Sequence, residues 1–420
     1  MREIFFFKKL LGKNLLAVNG AHGASDGSTR FRAAVMGGSA VVTTQLATYS
    51  FSPAFPQMVV ALNSRPEQIQ LTISAYLLGY TMSQLFCGPM SDYTGRRKGL
   101  LCGLAVFVVG NLASAAATSL DTLLLCLFIT SLGAGGLPAM SFSVVRDVYS
   151  ASDIPRVMSY LVTTMTIVPI LAPFLGGHVA YWLGWREVFL CIGALGALVM
   201  IGFFFLLPET SSPSEERFSL QNAILVYASL LCNRRFMGYV LLLGFGMAQF
   251  VVLFSAAPFI FQTNLEMNSA QYGRWFLVVC LGYPAGAIWS RTLLKTMSLP
   301  CLGLLGVVLT GIGNSIGVLG SALLGPSLYI VVPGLLTVSL GLGICITVGR
   351  SGALASIKAN IGFGSGLMGF FMFIIGAIVN VIASRFEMVK HQNLSTAMLV
   401  CAGLAWAALR LVPREAGVTS

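Results

Sequence analysis

Apolar residues fall along this chain in long unbroken runs rather than in alternation. Runs of about 20 residues, enough to cross about 30 Å of hydrocarbon as α-helix, stand out at 33–58, 68–90, 99–118, 121–145, 157–181, 187–207, 236–262, 271–290, 299–321, 326–349, 362–384 and 395–412. A membrane barrel would show alternating segments about ten residues long instead. The pattern therefore predicts an all-α membrane protein of twelve transmembrane helices. The longest polar interruption, 208–235, contains Pro208, Pro213, Glu215 and Glu216 and splits the runs six and six. The expected organisation is an extension 1–32, a six-helix bundle 33–207, a linker 208–235, a second bundle 236–412 and a tail 413–420. In the extension, Lys8 and Lys9 interrupt the apolar stretch, so it lacks the core of a signal peptide. It is expected to fray or lie on the membrane surface, with a flexible piece from Gly20 to Thr29.

Composition excludes most other classes. Of the 420 residues 56% are hydrophobic and only 9% are charged, with mean hydropathy +0.84. A soluble domain carries about 25% charged residues. The net charge of +11 sorts by side. With both termini cytoplasmic, only Arg65, Arg186, Arg274, Arg385 and Lys390 of the 25 Lys and Arg lie outside. That asymmetry is the positive-inside pattern, and it also argues against a nucleic-acid patch. The 9 cysteines are scattered without a CxxC, and the three histidines are far apart, so no metal or disulfide framework is expected. No phosphate loop or HExxH occurs, which argues against an enzyme or direct ATP drive. No cofactor is expected.

The two halves echo each other. SFSPAFPQ (50–57) closes the first run and FSAAPFIFQ (254–262) closes the seventh. Internal repeats of this kind are common in secondary transporters.

The strongest motif is GPMSDYTGRRKG, from Gly88 to Gly99, between the second and third runs. Gly88 allows close helix approach and Gly95 a tight reversal. Asp92 at the membrane face needs a partner; Arg96 and Arg146 are the candidates, and Asp147 offers a second acid for Arg96. Arg97 adds to the basic cluster. A plain positive-inside loop is the alternative. In the fifth run, Pro169 precedes APFLGG, with Ala172, Pro173, Gly176 and Gly177. Prolines bend helices and paired small residues permit close packing, so this segment is a candidate hinge; ordinary small-residue packing is the alternative.

The first motif resembles the loop signature of the major facilitator superfamily, G-x-x-x-D-x-x-G-R-(R/K). The second resembles the G-P-x-x-G-G signature of its antiporters, with Ala172 replacing the first Gly. SPAFPQ (52–57), AYLLGYTMSQLFCGPMSD (75–92), RDVYSASDIPRVMSY (146–160), APFLGGHVAYWLGWREVF (172–189) and LFSAAPFIF (253–261) are similar to the Bcr/CflA-type branch of drug:proton antiporters. The resemblance covers roughly residues 33–290. It implies two pseudo-symmetric six-helix bundles and a central cavity lined by the first, fourth, seventh and tenth helices. It also implies a latch around Asp92, Arg96, Arg146 and Asp147, and export of drug-like molecules in exchange for protons.

The chain departs from that branch at its acids. The first run reads Thr48, Tyr49, Ser50, Phe51, Ser52 where the branch usually carries a carboxylate, and the branch's fourth-helix Arg is Leu127 here. All 14 acidic residues fall outside the middle of the runs. His178 is then the candidate coupling residue, with a packing role as the alternative. The expected cavity lining is Gln45, Thr48, Tyr49, Thr130, Ser131, Gln249 and Thr337, with no Arg or Lys at mid-membrane, which suits a neutral or zwitterionic amphiphile. The functional expectation is a monomeric secondary transporter of the bacterial inner membrane, with a small-molecule substrate, the lipid bilayer and protons as partners and no nucleic acid. A specialised metabolite carrier for a siderophore, peptide or amino acid, and a non-transporting sensor, stand as alternatives.

Overall fold

The computed structural model describes residues 27–150, 152–207, 220–325, 327–357, 361–388 and 390–412. All regular structure among them is helical. Span one is Gly27–Tyr49, two Pro66–Thr94, three Arg96–Ala115, five Ile154–Trp182, six Trp185–Leu206 and seven Arg234–Phe259. Span nine is Leu299–Leu324, ten Leu328–Ala355, eleven Ile361–Ala383 and twelve His391–Leu409. Spans four and eight each consist of two stacked helices, Leu120–Gly135 with Leu137–Val148 and Ser269–Cys280 with Gly282–Leu293.

The breaks have local causes. Pro138 and Pro284 cannot donate to the preceding turn, so the fourth and eighth runs are interrupted near them. The first run, expected continuous over 33–58, stops at Tyr49 and resumes as Phe55–Ala61, because Pro53 and Pro56 intervene. Span one also begins at Gly27, so the expected extension ends earlier than residue 32 and part of its Gly/Ser piece is helical; residues 1–26 lie outside the described residues. Within the expected linker, Leu220–Cys232 is a helix that packs on spans seven and eleven.

Helix starts are capped as sequence chemistry dictates. Asn268 Oδ1 accepts from Gln271 N at 2.8 Å while Gln271 Oε1 accepts from Asn268 N at 3.0 Å, a reciprocal capping box. Asn233 Oδ1 accepts from Phe236 N at 3.1 Å. Between spans two and three, Gly95 takes φ 92°, a conformation that side chains disfavour, and it reverses the chain in one residue.

Ten of the spans are long and apolar enough to cross a bilayer by hydropathy. Spans one and two are not among them despite having 23 and 29 residues. Both turn polar side chains toward protein rather than lipid: Thr43, Thr44 and Thr48 in span one, and Gln70, Thr72, Ser74, Thr81 and Ser83 in span two are buried. Span seven is apolar all round and almost wholly enclosed, as expected of a helix running through the protein's middle.

Close helix pairs repeat in the two halves. A Cβ on Gly110 of span three would overlap Thr130 of span four, and one on Gly313 of span nine would overlap Gly334 and Val338 of span ten. Spans two and four approach at Gly79 and Gly135; spans eight and ten approach at Gly286 and Gly343. The same spans pair in each half through small residues, which lets backbones meet where no hydrophobic drive exists between helices in lipid.

Candidate functional site

The chain's two ends are distinct. One, here the basic face, holds the turn Gly95–Lys98, the end of span four and the end of span ten. The other, the far face, holds Arg65 and Glu387. Between the halves lies a cavity of about 340 Å³. Its lining includes Gln84 near the basic end of span two, Phe142 near that of span four, Arg350 and Leu354 of span ten and Ser365 of span eleven. It is therefore open toward the basic face. Deeper in, it is floored by Tyr49 and Phe250, whose ring centroids lie 6.1 Å apart. Behind them Tyr49 and Phe254 meet at 4.8 Å.

Contacts between the halves seal the far face. Spans two and eleven meet through Asn380, whose Nδ2 donates to Gln70 O at 3.0 Å and to Ser74 Oγ at 2.9 Å. Its Oδ1 accepts from Ser255 Oγ of span seven at 2.6 Å. The echoed motif ends contribute a glutamine each. Gln262 Nε2 donates across the halves to Pro53 O at 2.8 Å; Gln57 Nε2 donates to Ala180 O of its own half at 2.9 Å and across to Ser269 Oγ at 3.4 Å.

The expected hinge lies on this seal. Pro169 and Pro173 sit inside the continuous helix of span five, and Pro169 also lines the cavity. Ala172, Pro173, Gly176 and Gly177 are buried. A Cβ on Gly176 would overlap Ser50 O, and one on Gly177 would overlap Ser269 O of span eight; Gly273 of span eight faces Pro173 O in return. The glycines let spans five and eight touch backbone to backbone.

At the basic face, Arg96 Nε and Asp147 Oδ2 stand 3.2 Å apart, tying the start of span three to the end of span four. Arg97 also ties span three to the end of span six: its Nη2 donates to Phe204 O at 2.6 Å, with the guanidinium 5.4 Å from the Phe204 ring centroid. Arg146 is exposed on the same face. Gly88 and Asp92 lie in the helix of span two, but the side chains of residues 85–94 are outside the described residues. Nearby, Tyr149 donates its hydroxyl to Arg30 O at 2.7 Å, and burial pushes that hydroxyl's pKa up to about 12. At the far face, the hydrogen bond from Lys390 holds the Glu387 carboxyl below its usual range.

Of the expected lining residues, Gln45 and Tyr49 border the cavity. The others do not. Thr48, Thr130 and Thr337 donate to the carbonyls of Thr44, Cys126 and Pro333 at 2.8, 2.7 and 2.8 Å, and Ser131 donates to Phe128 O at 2.8 Å. A hydroxyl in lipid satisfies itself on its own helix. Gln249 is buried and accepts from Asn314 of span nine at 3.3 Å, facing away from the cavity. His178 Nδ1 lies 2.8 Å from Phe174 O and its ring 4.5 Å from that of Phe174, a local packing arrangement outside the cavity.

Two expectations about the lining change. Spans two, five, eight and eleven contribute to it through Tyr80, Met165, Tyr283 and Met372, besides the four spans expected. The pathway also holds a charge: Arg350, assigned from sequence to the loop after span ten, lies within that helix and lines the cavity, with Nη2 3.6 Å from Met372 Sδ. The available cue was that no acid stands within a turn of Arg350. Among the described residues, none that lines the cavity is acidic.

The Major Facilitator Superfamily profile matches residues 38–380. An uncharacterized MFS-type transporter of Bacillus subtilis is 26% identical over 367 residues, covering 84% of this chain and 89% of that one. The chloramphenicol resistance protein of Pseudomonas aeruginosa is 31% identical over 234 residues, 55% of this chain and 54% of that protein, so this match spans about half of each. Among solved structures, a D-xylose-proton symporter superposes with TM-score 0.74 at 14% identity, covering 92% of this chain and 98% of that one; at that identity it speaks for the fold alone.

Proposed function

Because the chain belongs to the Major Facilitator Superfamily, we propose that it is a secondary active transporter that exports an amphiphilic small molecule by alternating access. The observation that carries this reading is the cavity open at the basic face and closed at the far face by contacts made only between the halves. The excess of Lys and Arg on that face supports its being cytoplasmic, in a bacterial cell membrane. Substrate enters from the cytoplasm and settles among Tyr49, Phe250 and the methionines. The halves then rock: the Asn380, Gln57 and Gln262 bonds part and the basic face closes.

Relatives named for chloramphenicol and multidrug resistance support export of drug-like molecules. Sequence coverage of those relatives is partial, so the substrate is part of the proposal. Gly88, Asp92, Arg96, Arg146 and Asp147 serve in this reading as the latch of the closed basic face, and span five's Pro169–Gly177 segment as the surface on which span eight rolls. A proton-coupled carrier usually titrates a buried carboxylate, and among the described residues none lines this cavity, so the reading assigns no lining residue to carry a proton.

The test locks the far face. With native cysteines replaced, Ser74→Cys and Ala377→Cys are joined by a short bis-methanethiosulfonate, each thiolate displacing methanesulfinate, across spans two and eleven, where Ser74 Oγ lies 3.2 Å from Ala377 O. Flux of an amphiphile panel headed by chloramphenicol should stop in proteoliposomes and return when a cleavable reagent is reduced. Undiminished flux in the cross-linked protein would refute alternating access through this cavity.

A further inference from the structure

Among the described residues, the cavity holds a cation with no counter-ion. Arg350 is exposed into it, its hydrogen bond is to the Met372 sulfur at 3.6 Å, and among the described residues no carboxylate lies within ion-pair distance of it. A guanidinium kept in a membrane-embedded cleft is costly unless something neutralises it. Its planar fork fits carboxylate, sulfonate or phosphate oxygens two at a time. The rest of the wall is of a different kind. Met165, Met247, Met368 and Met372 supply soft, adaptable surface, and Tyr49, Phe250 and Phe373 supply aromatic faces. Gln84 reaches across to Gly369, where a Cβ would stand 2.8 Å from its Oε1, and adds a neutral amide beside the charge. The volume of about 340 Å³ suits one small organic molecule.

We propose that the transported molecule is a singly charged anionic amphiphile, with its acid group on Arg350 and its apolar body among the methionines and aromatic rings. This rests on the transporter reading and narrows its substrate. A lipophilic cation would meet the Arg350 charge with no acid on the wall to offset it. The anion also accounts for the absence of a titrating carboxylate. A molecule that carries one negative charge outward runs down an inside-negative potential, and each tenfold of outward accumulation needs about 59 mV for a single charge. The membrane potential acts on the substrate itself, so export needs no proton carried by the protein.

Three fluorescent probes of matched body test this on the full-length protein: dansylglycine, a monoanion; dansylglycinamide, neutral; and dansylcadaverine, a cation. Dansylglycine is expected to bind, and Arg350→Gln to weaken it about tenfold or more, the loss of one charge-assisted pair. Arg350→Lys should fall between the native protein and Arg350→Gln, because the charge stays while the two-point fork is lost, and dansylglycinamide binding should change less than about twofold in either variant. Thermal unfolding of each variant shows that it is folded. Equal losses for anion and amide, absence of dansylglycine binding, or tighter binding of dansylcadaverine to the unaltered protein would overturn the proposal. In proteoliposomes of neutral phospholipid, a potassium–valinomycin potential negative on the basic-face side should speed dansylglycine movement toward the far face, while a pH gradient at clamped potential should not. Movement of the amide alone, indifferent to potential, would sink the anion proposal and leave the transporter standing. Arg350-dependent binding of dansylglycine with no movement of any probe would do the reverse.

Discussion

Asp147 and Asn380 illustrate how differently single residues contribute here. The Arg96–Asp147 pair is partly exposed, and pairs of that kind add about 0–1 kcal/mol. Asp147→Asn should therefore leave the melting temperature in detergent nearly unchanged while slowing transport; an unchanged rate would remove Asp147 from the latch. Asn380 is fully buried; it joins two partners across the halves, Gln70 and Ser74, and one in its own half, Ser255. Asn380→Ala removes the two bonds that its amide donates across the halves, each worth about 0.5–1.5 kcal/mol. That cost falls on the far-face-closed state only. The expected result is faster thiol labelling, from the far face, of a cysteine placed at Gln57, and equal labelling in both proteins would show that Asn380 does not hold the seal. Gln70 already sits in this contact with its side-chain amide buried and unpartnered, which keeps the closed state from being too deep.

Among helices, the glycine-lined contacts divide into two kinds. Those within a half, such as Gly110 against Thr130, are permanent packing. Those between halves, such as Gly177 against Ser269, must part in each cycle. Gly110→Val overfills a tight contact and should destabilise the protein by about 1–3 kcal/mol, seen as a lower unfolding temperature. Gly177→Val should cost little once the far face opens, so its signature is a shift toward the far-face-open state with near-normal yield. If Gly177→Val instead lowered yield as much as Gly110→Val, span five would be fixed packing rather than a moving surface. The motif was visible in sequence; which helix it met was not, because small residues mark a contact without naming the partner.

For the whole protein, orientation is the quantity on which direction depends. Lys295 and Arg274 are both exposed, at opposite ends of span eight. A cysteine at position 295 should react with a membrane-impermeant thiol reagent only after cells are opened, and one at 274 in intact cells; the opposite pattern would turn the proposed exporter round. The cavity offers the less predictable lesson. Gln45 and Tyr49 were legible as lining because they are polar or amphipathic in an apolar run, yet Thr48, one residue away, turns to its own helix. Arg350 was hidden because an arginine near the end of an apolar run is ordinarily a loop anchor.

Hydropathy and run length by themselves determined the helical class and the approximate spans, since a helix that crosses lipid must satisfy its own backbone over a set length, and the family resemblance lay in the motifs GPMSDYTGRRKG and APFLGG. Which face of each helix looks at lipid, at another helix or at the pathway was settled only by tertiary packing. In a membrane those first two surroundings are equally apolar, so side-chain polarity along one helix carries little record of its neighbours. The unpaired Arg350 charge is a property of the assembled cavity: eight spans converge there and, among the described residues, none of them brings an acid to its wall.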